Sequence, residues 1–208
     1  PVIAATSPTN CFDAAYYASK MALEHMTPVV LLTDAFVANG SGAFKLPDLN
    51  DYPDICPPYV TPEMAGSYTP YMRNPDTQVR YWAIPGQEGY MHILGGLEKD
   101  GRTGAISTDP ENHDKMCRLR AEKVARIPVP DVEVQGCVDD AELLIVGFGG
   151  TYGHLHSAMD EMVATGKKVA LAHFSYLNPL PANTAEVLKR YKKVVVAEQN
   201  LGQFAAYL

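Results

Sequence analysis

The apolar positions near the start of the chain change their period twice. Val2 to Ala5 is a short apolar run of strand length. Ser7, Thr9 and Asn10 then supply side-chain oxygens suited to capping a helix. Phe12, Ala15, Ser19, Ala22, Leu23 and Met26 follow at helical spacing, and Pro28 ends the pattern. Val29 to Leu32 is continuously apolar and closes on the polar pair Thr33-Asp34. A strand, a helix and a continuously apolar second strand together predict a buried parallel sheet.

From about residue 38 to residue 106 the period is lost. Pro47, Pro53, Pro57, Pro58, Pro62, Pro70, Pro75 and Pro85 exclude long helices, because proline fixes φ and carries no N–H donor. Val79 to Trp82 is the kind of short piece that can still pair as a strand. The stretch is too aromatic for simple disorder. Tyr52, Tyr59, Tyr68, Tyr71, Tyr81, Trp82 and Tyr90 need a surface to pack on; a partner subunit is the expected one, and the alternative is that the excursion folds back onto its own domain.

Regular patterning returns at Asp109-Pro110, an N-cap followed by proline at the first helical position. Met116, Leu119, Lys123 and Val124 carry that helix's stripe. Its bases at 115, 118, 120, 123 and 126 suit the negative end of a helix dipole as well as they suit a ligand. Pro128 and Pro130 open a connector. Beyond it come a strand over 143–147, a glycine-rich turn over 148–153, a helix over 154–165 with Leu155, Met159, Met162 and Val163 inward, and a strand over 168–173. Asn183 with Glu186 resembles a capping box for a helix ending at Tyr191, and Lys193 to Glu198 is a third strand. The βαβαβ order predicts right-handed crossovers. The expected fold class is α/β, divided at the 127–140 connector into units 1–130 and 139–208.

Charge and cysteine usage exclude several classes of function. The chain carries 24 acids against 17 bases, a net charge of −7, and has no run of Lys or Arg, so neither nucleic acid nor an anionic membrane surface is an expected partner. No apolar run approaches the roughly 18 residues of a spanning helix, and there is no signal-like start. The opening Pro1-Val2-Ile3 reads as a strand already inside a domain, and a preceding segment is expected in the intact protein. Cys11, Cys56, Cys117 and Cys137 form no CxxC pair, which points to reduced thiols in a cytoplasmic protein and to no zinc or iron–sulfur site held by this chain alone.

Few segments could carry chemistry. The turn from Gly147 to Gly153 lies between a strand and a helix, where N–H groups can hold a phosphate, but it matches neither GxGxxG nor GxxxxGK[ST]; close packing explains its glycines as well. The histidines at 25, 92, 113, 154, 156 and 173 form no metal spacing, and no serine sits in a nucleophile elbow. Glu198, Gln199 and Asn200 follow a strand. Ligands of open α/β sheets gather beyond the carboxyl ends of strands, so these three are positional candidates for cofactor binding; the competing role is capping of the helix that follows.

Five segments, taken in order, resemble one family: TPVVLLTDAF at 27–36, PGQEGYMHILGGLEKDGRTGAISTDPENHDKMCRLRAEKV at 85–124, ELLIVGFGGTYG at 142–153, LNPLP at 177–181 and VVVAEQNLGQ at 194–203. The series is similar to the alpha subunit of 2-oxoacid:ferredoxin oxidoreductases, especially the 2-oxoglutarate type, over its C-terminal half. The resemblance implies the end of a thiamine-pyrimidine-binding-like domain followed by a transketolase C-terminal-like domain. It implies oxidative decarboxylation of a 2-oxoacid with coenzyme A to acyl-CoA and CO2, and electrons passed to ferredoxin. Thiamine diphosphate with magnesium and the iron–sulfur cluster belong to the assembled enzyme, whose beta subunit carries the diphosphate half and a cluster. The family's cofactor-facing Glu and substrate-facing Arg match no position here, so this chain alone is expected to be inactive. Two departures stand out: Leu97-Glu98-Lys99-Asp100 replaces a His-Asp or His-Glu pair, and Gly149-Gly150-Thr151 replaces Gly-Ser-Thr. A related transketolase-like or dehydrogenase subunit, or a noncatalytic α/β interaction module, would use the same scaffold.

Overall fold

The computed structural model describes residues 1–208. In chain order the elements are β1 (Val2–Ala4), α1 (Cys11–Glu24), β2 (Val30–Leu32), α2 (Ala35–Asn39), α3 (Pro110–Ala125), β3 (Val134–Gly136), β4 (Leu143–Phe148), α4 (Tyr152–Ala164), β5 (Val169–Phe174), β6 (Tyr176–Asn178), α5 (Thr184–Arg190), β7 (Lys193–Val196) and α6 (Gln203–Tyr207). They gather into two compact units that interleave in sequence. Residues 1–18, 29–48 and 129–208 make the first; residues 19–28 and 49–128 make the second. This grouping cuts across a linear division at 127–140, because β1 lies between β2 and β6 in one sheet.

The first unit holds two sheets. The larger has the order β3-β5-β4-β7. β4 runs parallel to both β5 and β7, as the βαβαβ pattern predicts, and β3 closes the edge antiparallel to β5. β3 falls in the proline-bearing connector and is too short to show a period. Side chains alternate across the pleat. Leu144, Val146, Ala170, Ala172 and Phe174 share one buried cluster with Val187, Tyr191 and Phe204. Ile145 and Leu171 join Met159 of α4 in another. Leu144, Val146, Leu171 and Phe174 are each 0% exposed, and burying each such side chain contributes about 1.5–3 kcal/mol. Aromatic edges knit α6 to the sheet: Phe204 stands 4.9 Å from Phe148 and 5.4 Å from Phe174, ring centre to ring centre.

The smaller sheet has the order β2-β1-β6. β1 and β2 pair in parallel as expected, but β2 is not a buried strand: Val30 is 53% and Leu32 39% exposed. It is an edge strand with one neighbour, so its apolar run signals pairing without burial. The α1 stripe is also displaced from the predicted one. The buried positions are Ala14, Ala18 and Met21, whereas Phe12 and Leu23 are each more than 40% exposed. Small side chains let a helix approach closely, and the large residues that dominate a periodicity count lie off the contact line. Asn183 does not act as a capping box. Its amide brackets the buried Val132, accepting from Val132 N at 3.0 Å and donating to Val132 O at 2.9 Å, while Glu186 pairs with Arg190.

The second unit contains α3 and the irregular stretch. Asp109 caps α3 by accepting from Glu111 N at 3.1 Å, with Pro110 at the first position, as predicted. Met116 is the buried residue of that helix. Val79 to Trp82 forms only isolated bridges, Arg73 with Arg80 and Tyr59 with Trp82. The aromatic residues mostly pack within their own unit rather than facing outward. Tyr90 is buried, lies 5.3 Å from Tyr68 and donates to Thr61 O; Trp82 Nε1 donates to Leu23 O at 2.9 Å. The large side chains left outside are chiefly aliphatic, among them Met91, Ile93 and Leu94, each at least 70% exposed. Lys99 is 1% exposed, its ammonium held by the carbonyls of Gly95 and Leu97.

Candidate functional site

Strands from both sheets of the first unit end beside one cavity of about 190 Å3. The end of β1 supplies Ala4, β2 runs into Leu32 and Asp34, and β4 runs into Phe148, Gly149 and Thr151. Beyond β7, Gln199 and Asn200 complete the wall. A carboxyl-end crevice is where a parallel sheet presents unpaired main-chain groups and loop side chains to a ligand.

Asp34 organises the floor. One carboxylate oxygen accepts from Val37 N at 2.8 Å and caps α2; the other accepts from Gly150 N at 3.0 Å, in the turn after β4. The turn can deliver that N–H because Gly149 adopts φ of +62°, a left-handed conformation that suits glycine. Gly150 must also lack a side chain, since a Cβ there would run into the Asp34 carboxylate. The anion at this turn is therefore the protein's own carboxylate, which answers the phosphate-binding reading for the Gly150 N–H. Thr151 Oγ1 donates to Phe148 O at 2.7 Å and tightens the entry into α4.

The three residues singled out from sequence part ways. Glu198 Oε2 accepts from Phe204 N and Oε1 from Ala205 N, both at 3.0 Å, so its carboxylate is committed to the start of α6. Asn200 Oδ1 accepts from Gly202 N at 3.2 Å, and both Asn200 and Gln199 line the cavity with their surfaces exposed. Asp34 and Gly150 were not singled out. The available signal was Thr33-Asp34 as the polar end of an apolar strand, and the Asp34–Gly150 bond spans too much sequence for any spacing rule.

A second cavity in the same unit, about 410 Å3, is lined by Glu133, Gln135, Tyr152, His173, Ser175 and Tyr176 among others. His173 sits on β5 with its ring 5.0 Å from Tyr152, and its Nε2 is buried without a hydrogen-bond partner. Burial pushes its pKa down to about 4 against the opposing pull of the Gly149 and Phe148 carbonyls, so the ring is neutral near pH 7. His154 and His156 diverge as expected: the first lies beside Phe36 with the two rings tilted by 53°, the second pairs with Asp160. On α3 of the second unit, His113 joins Glu98 (Nδ1 to Oε2, 3.0 Å) to Cys117 (Nε2 to Sγ, 3.6 Å). No three His, Cys, Asp or Glu side chains gather where they could hold a metal ion.

Comparison with known proteins gives likenesses that agree with one another. Residues 141–206 match the family described as pyruvate:ferredoxin oxidoreductase core domain II. Over 207 residues, all of this chain, the sequence is 46% identical to 2-oxoglutarate oxidoreductase subunit KorA of Mycobacterium tuberculosis. Along its whole length the chain is thus similar to a 2-oxoglutarate oxidoreductase subunit. The 2-oxoglutarate synthase subunit KorA of Methanothermobacter marburgensis is 27% identical over 97% of this chain. A solved 2-oxoglutarate:ferredoxin oxidoreductase from Magnetococcus marinus, with 2-oxoglutarate, coenzyme A and succinyl-CoA bound, superposes with a TM-score of 0.86 over 99% of this chain at 29% identity. The chain spans 31% of the Mycobacterium subunit, 54% of the Methanothermobacter subunit and 36% of the solved chain.

Proposed function

We propose that this chain is part of the alpha subunit of a thiamine-dependent 2-oxoacid:ferredoxin oxidoreductase, acting on 2-oxoglutarate with coenzyme A and passing electrons to ferredoxin. The observation that carries the reading is the 46% identity along the whole chain to a 2-oxoglutarate oxidoreductase subunit. Residues 1–130 are assigned to the end of a thiamine-pyrimidine-binding-like domain and 139–208 to a transketolase C-terminal-like domain. A beta subunit would carry the diphosphate site and a cluster, and the assembly would work in the cytoplasm. No helix is long and apolar enough to cross a membrane.

Asp34 and Glu198 cap helices, Glu98 is paired with Arg120, and no three His, Cys, Asp or Glu side chains converge, which supports assigning the thiamine diphosphate and its metal to groups other than these. The part assigned to this chain is to shape the crevice beyond β1, β2 and β4, where Gln199 and Asn200 offer neutral amides to a cofactor or substrate edge. Reconstitution tests the reading. The full-length subunit mixed with a beta subunit, thiamine diphosphate, magnesium and coenzyme A should reduce a viologen dye when 2-oxoglutarate is added. Absence of dye reduction with any 2-oxoacid overturns it, as does turnover by this chain alone for the division of labour.

A further inference from the structure

The second unit encloses a cavity of about 600 Å3 walled by Arg73, Arg80, Arg120 and Lys123, with Glu98 as its one acid. Arg120 is answered by Glu98 in a two-pronged pair at 3.3 and 3.1 Å. The other three cations have no carboxylate within ion-pair distance. Main-chain carbonyls hold them instead: Arg73 Nη1 donates to Gln78 O at 2.8 Å, Arg80 Nε to Pro70 O at 3.1 Å, and Lys123 Nζ to Met26 O at 2.6 Å. Arg80 also lies over the Tyr71 ring, 4.0 Å from its centre. A carbonyl fixes the direction of a donor without cancelling its charge. The cavity thus keeps three uncancelled positive charges in a chain whose net charge is −7.

This concentration is not explained by the fold. Burial and then Arg73, Arg80 and Arg120 push the Lys123 ammonium down to about 8, and Arg73 is lowered by burial and by Arg80 and Arg120. The cations repel one another in a partly desolvated space. Such an arrangement is what an anion site looks like before its ligand arrives: donors oriented, charge unspent, room left over. The α3 dipole accounts for a base near its C-terminal end, but not for Arg73 and Arg80, which come from the irregular stretch.

We propose that this cavity binds a small polyanion bearing phosphoryl groups, a phosphate ester or a diphosphate. Three uncancelled charges exceed what one carboxylate would neutralise, guanidinium forks match phosphoryl oxygens, and the volume lies within the range of small-molecule sites. The proposal does not depend on the oxidoreductase reading.

Calorimetric titration of the purified protein with inorganic pyrophosphate at fixed ionic strength tests it. Saturable binding at one site per chain is expected, with a matching rise in Tm. Arg80→Gln and Lys123→Met should each weaken binding at least tenfold. Arg118→Gln, on the same helix but paired with Asp114 and outside the cavity, should leave it unchanged. Lys123→Met removes a charge that its neighbours repel, so this variant is expected to fold, and its melting curve without ligand checks that. Absence of saturable binding overturns the proposal. So does equal weakening by all three substitutions, which would mark diffuse charge attraction, or binding of citrate with no binding of pyrophosphate, which would mark the wrong anion class.

Discussion

Replacing Asp34 should loosen the crevice from its floor. The Asp34 carboxylate makes two bonds with different jobs, a cap on α2 through Val37 N and a link to Gly150 N in the turn after β4. Loss of an N-cap side chain costs about 1 kcal/mol, and the bond to Gly150, charge-assisted and part-buried, adds about 1 kcal/mol more. Asp34→Ala should therefore destabilise the first unit by about 2 kcal/mol. Asp34→Asn keeps one acceptor oxygen and should lose about half of that. With a urea slope of about 2 kcal/mol per molar, the full loss lowers the unfolding midpoint by about 1 M. Gly150→Ala probes the same contact from the other side. Its new Cβ runs into the Asp34 carboxylate, so it should cost about 1–3 kcal/mol in the native background and clearly less once Asp34 is Ala. Urea curves for the two single variants and the double variant measure that coupling. Additive losses would refute the reasoning, because they would mean that Asp34 and Gly150 do not meet.

Two more predictions concern buried polar groups. His173 is neutral in the folded state because burial depresses its pKa to about 4, whereas in the unfolded chain it takes a proton near its ordinary value of 6.5. The stability this supplies is complete above pH 6.5 and declines as pH falls toward 4, so denaturation curves across that window should show a steeper decline in the native protein than in His173→Gln; parallel curves would contradict it. Asn183→Ala should cost about 2–3 kcal/mol in urea unfolding, because Val132 then loses partners for both its N–H and its C=O, and Asn183→Asp should cost nearly as much, since a carboxylate cannot donate to Val132 O. A cap would accept Asp readily, so full tolerance of Asn183→Asp would overturn the bracket described here.

What the sequence made legible follows how local each cause is. β4, α4, β5 and β7 stand within a residue or two of their predicted bounds, since each has several apolar side chains at one period. β3 and β6 escaped because three residues carry no period. β2 misled, because Val30 and Leu32 look like core while their strand has a neighbour on one side only. The α1 stripe misled because Ala14 and Ala18 make the close contact while Phe12 and Leu23 weigh more in a periodicity count. At the site, Gln199 and Asn200 were reachable from the rule of carboxyl ends. The Asp34–Gly150 bond and the cluster of Arg73, Arg80 and Lys123 were not, because each joins residues far apart in sequence through side-chain geometry alone.

The position of β1 between β2 and β6 has a consequence for the order in which the chain can assemble. Val2 pairs with Val30 on one side and with Asn178 on the other. The first contact closes a short loop, whereas the second waits for nearly the whole chain. At synthesis rates of roughly 5–20 residues per second, β1 remains half-paired for roughly seven to thirty seconds on the ribosome. Residues 49–128 are contiguous and can condense during that interval. The first unit is thus a late product whose rate is set by a long-range closure, the kind of contact that slows folding most. While it waits, the open flank of β1 is an unpaired strand edge, which makes the nascent chain a natural client for chaperones.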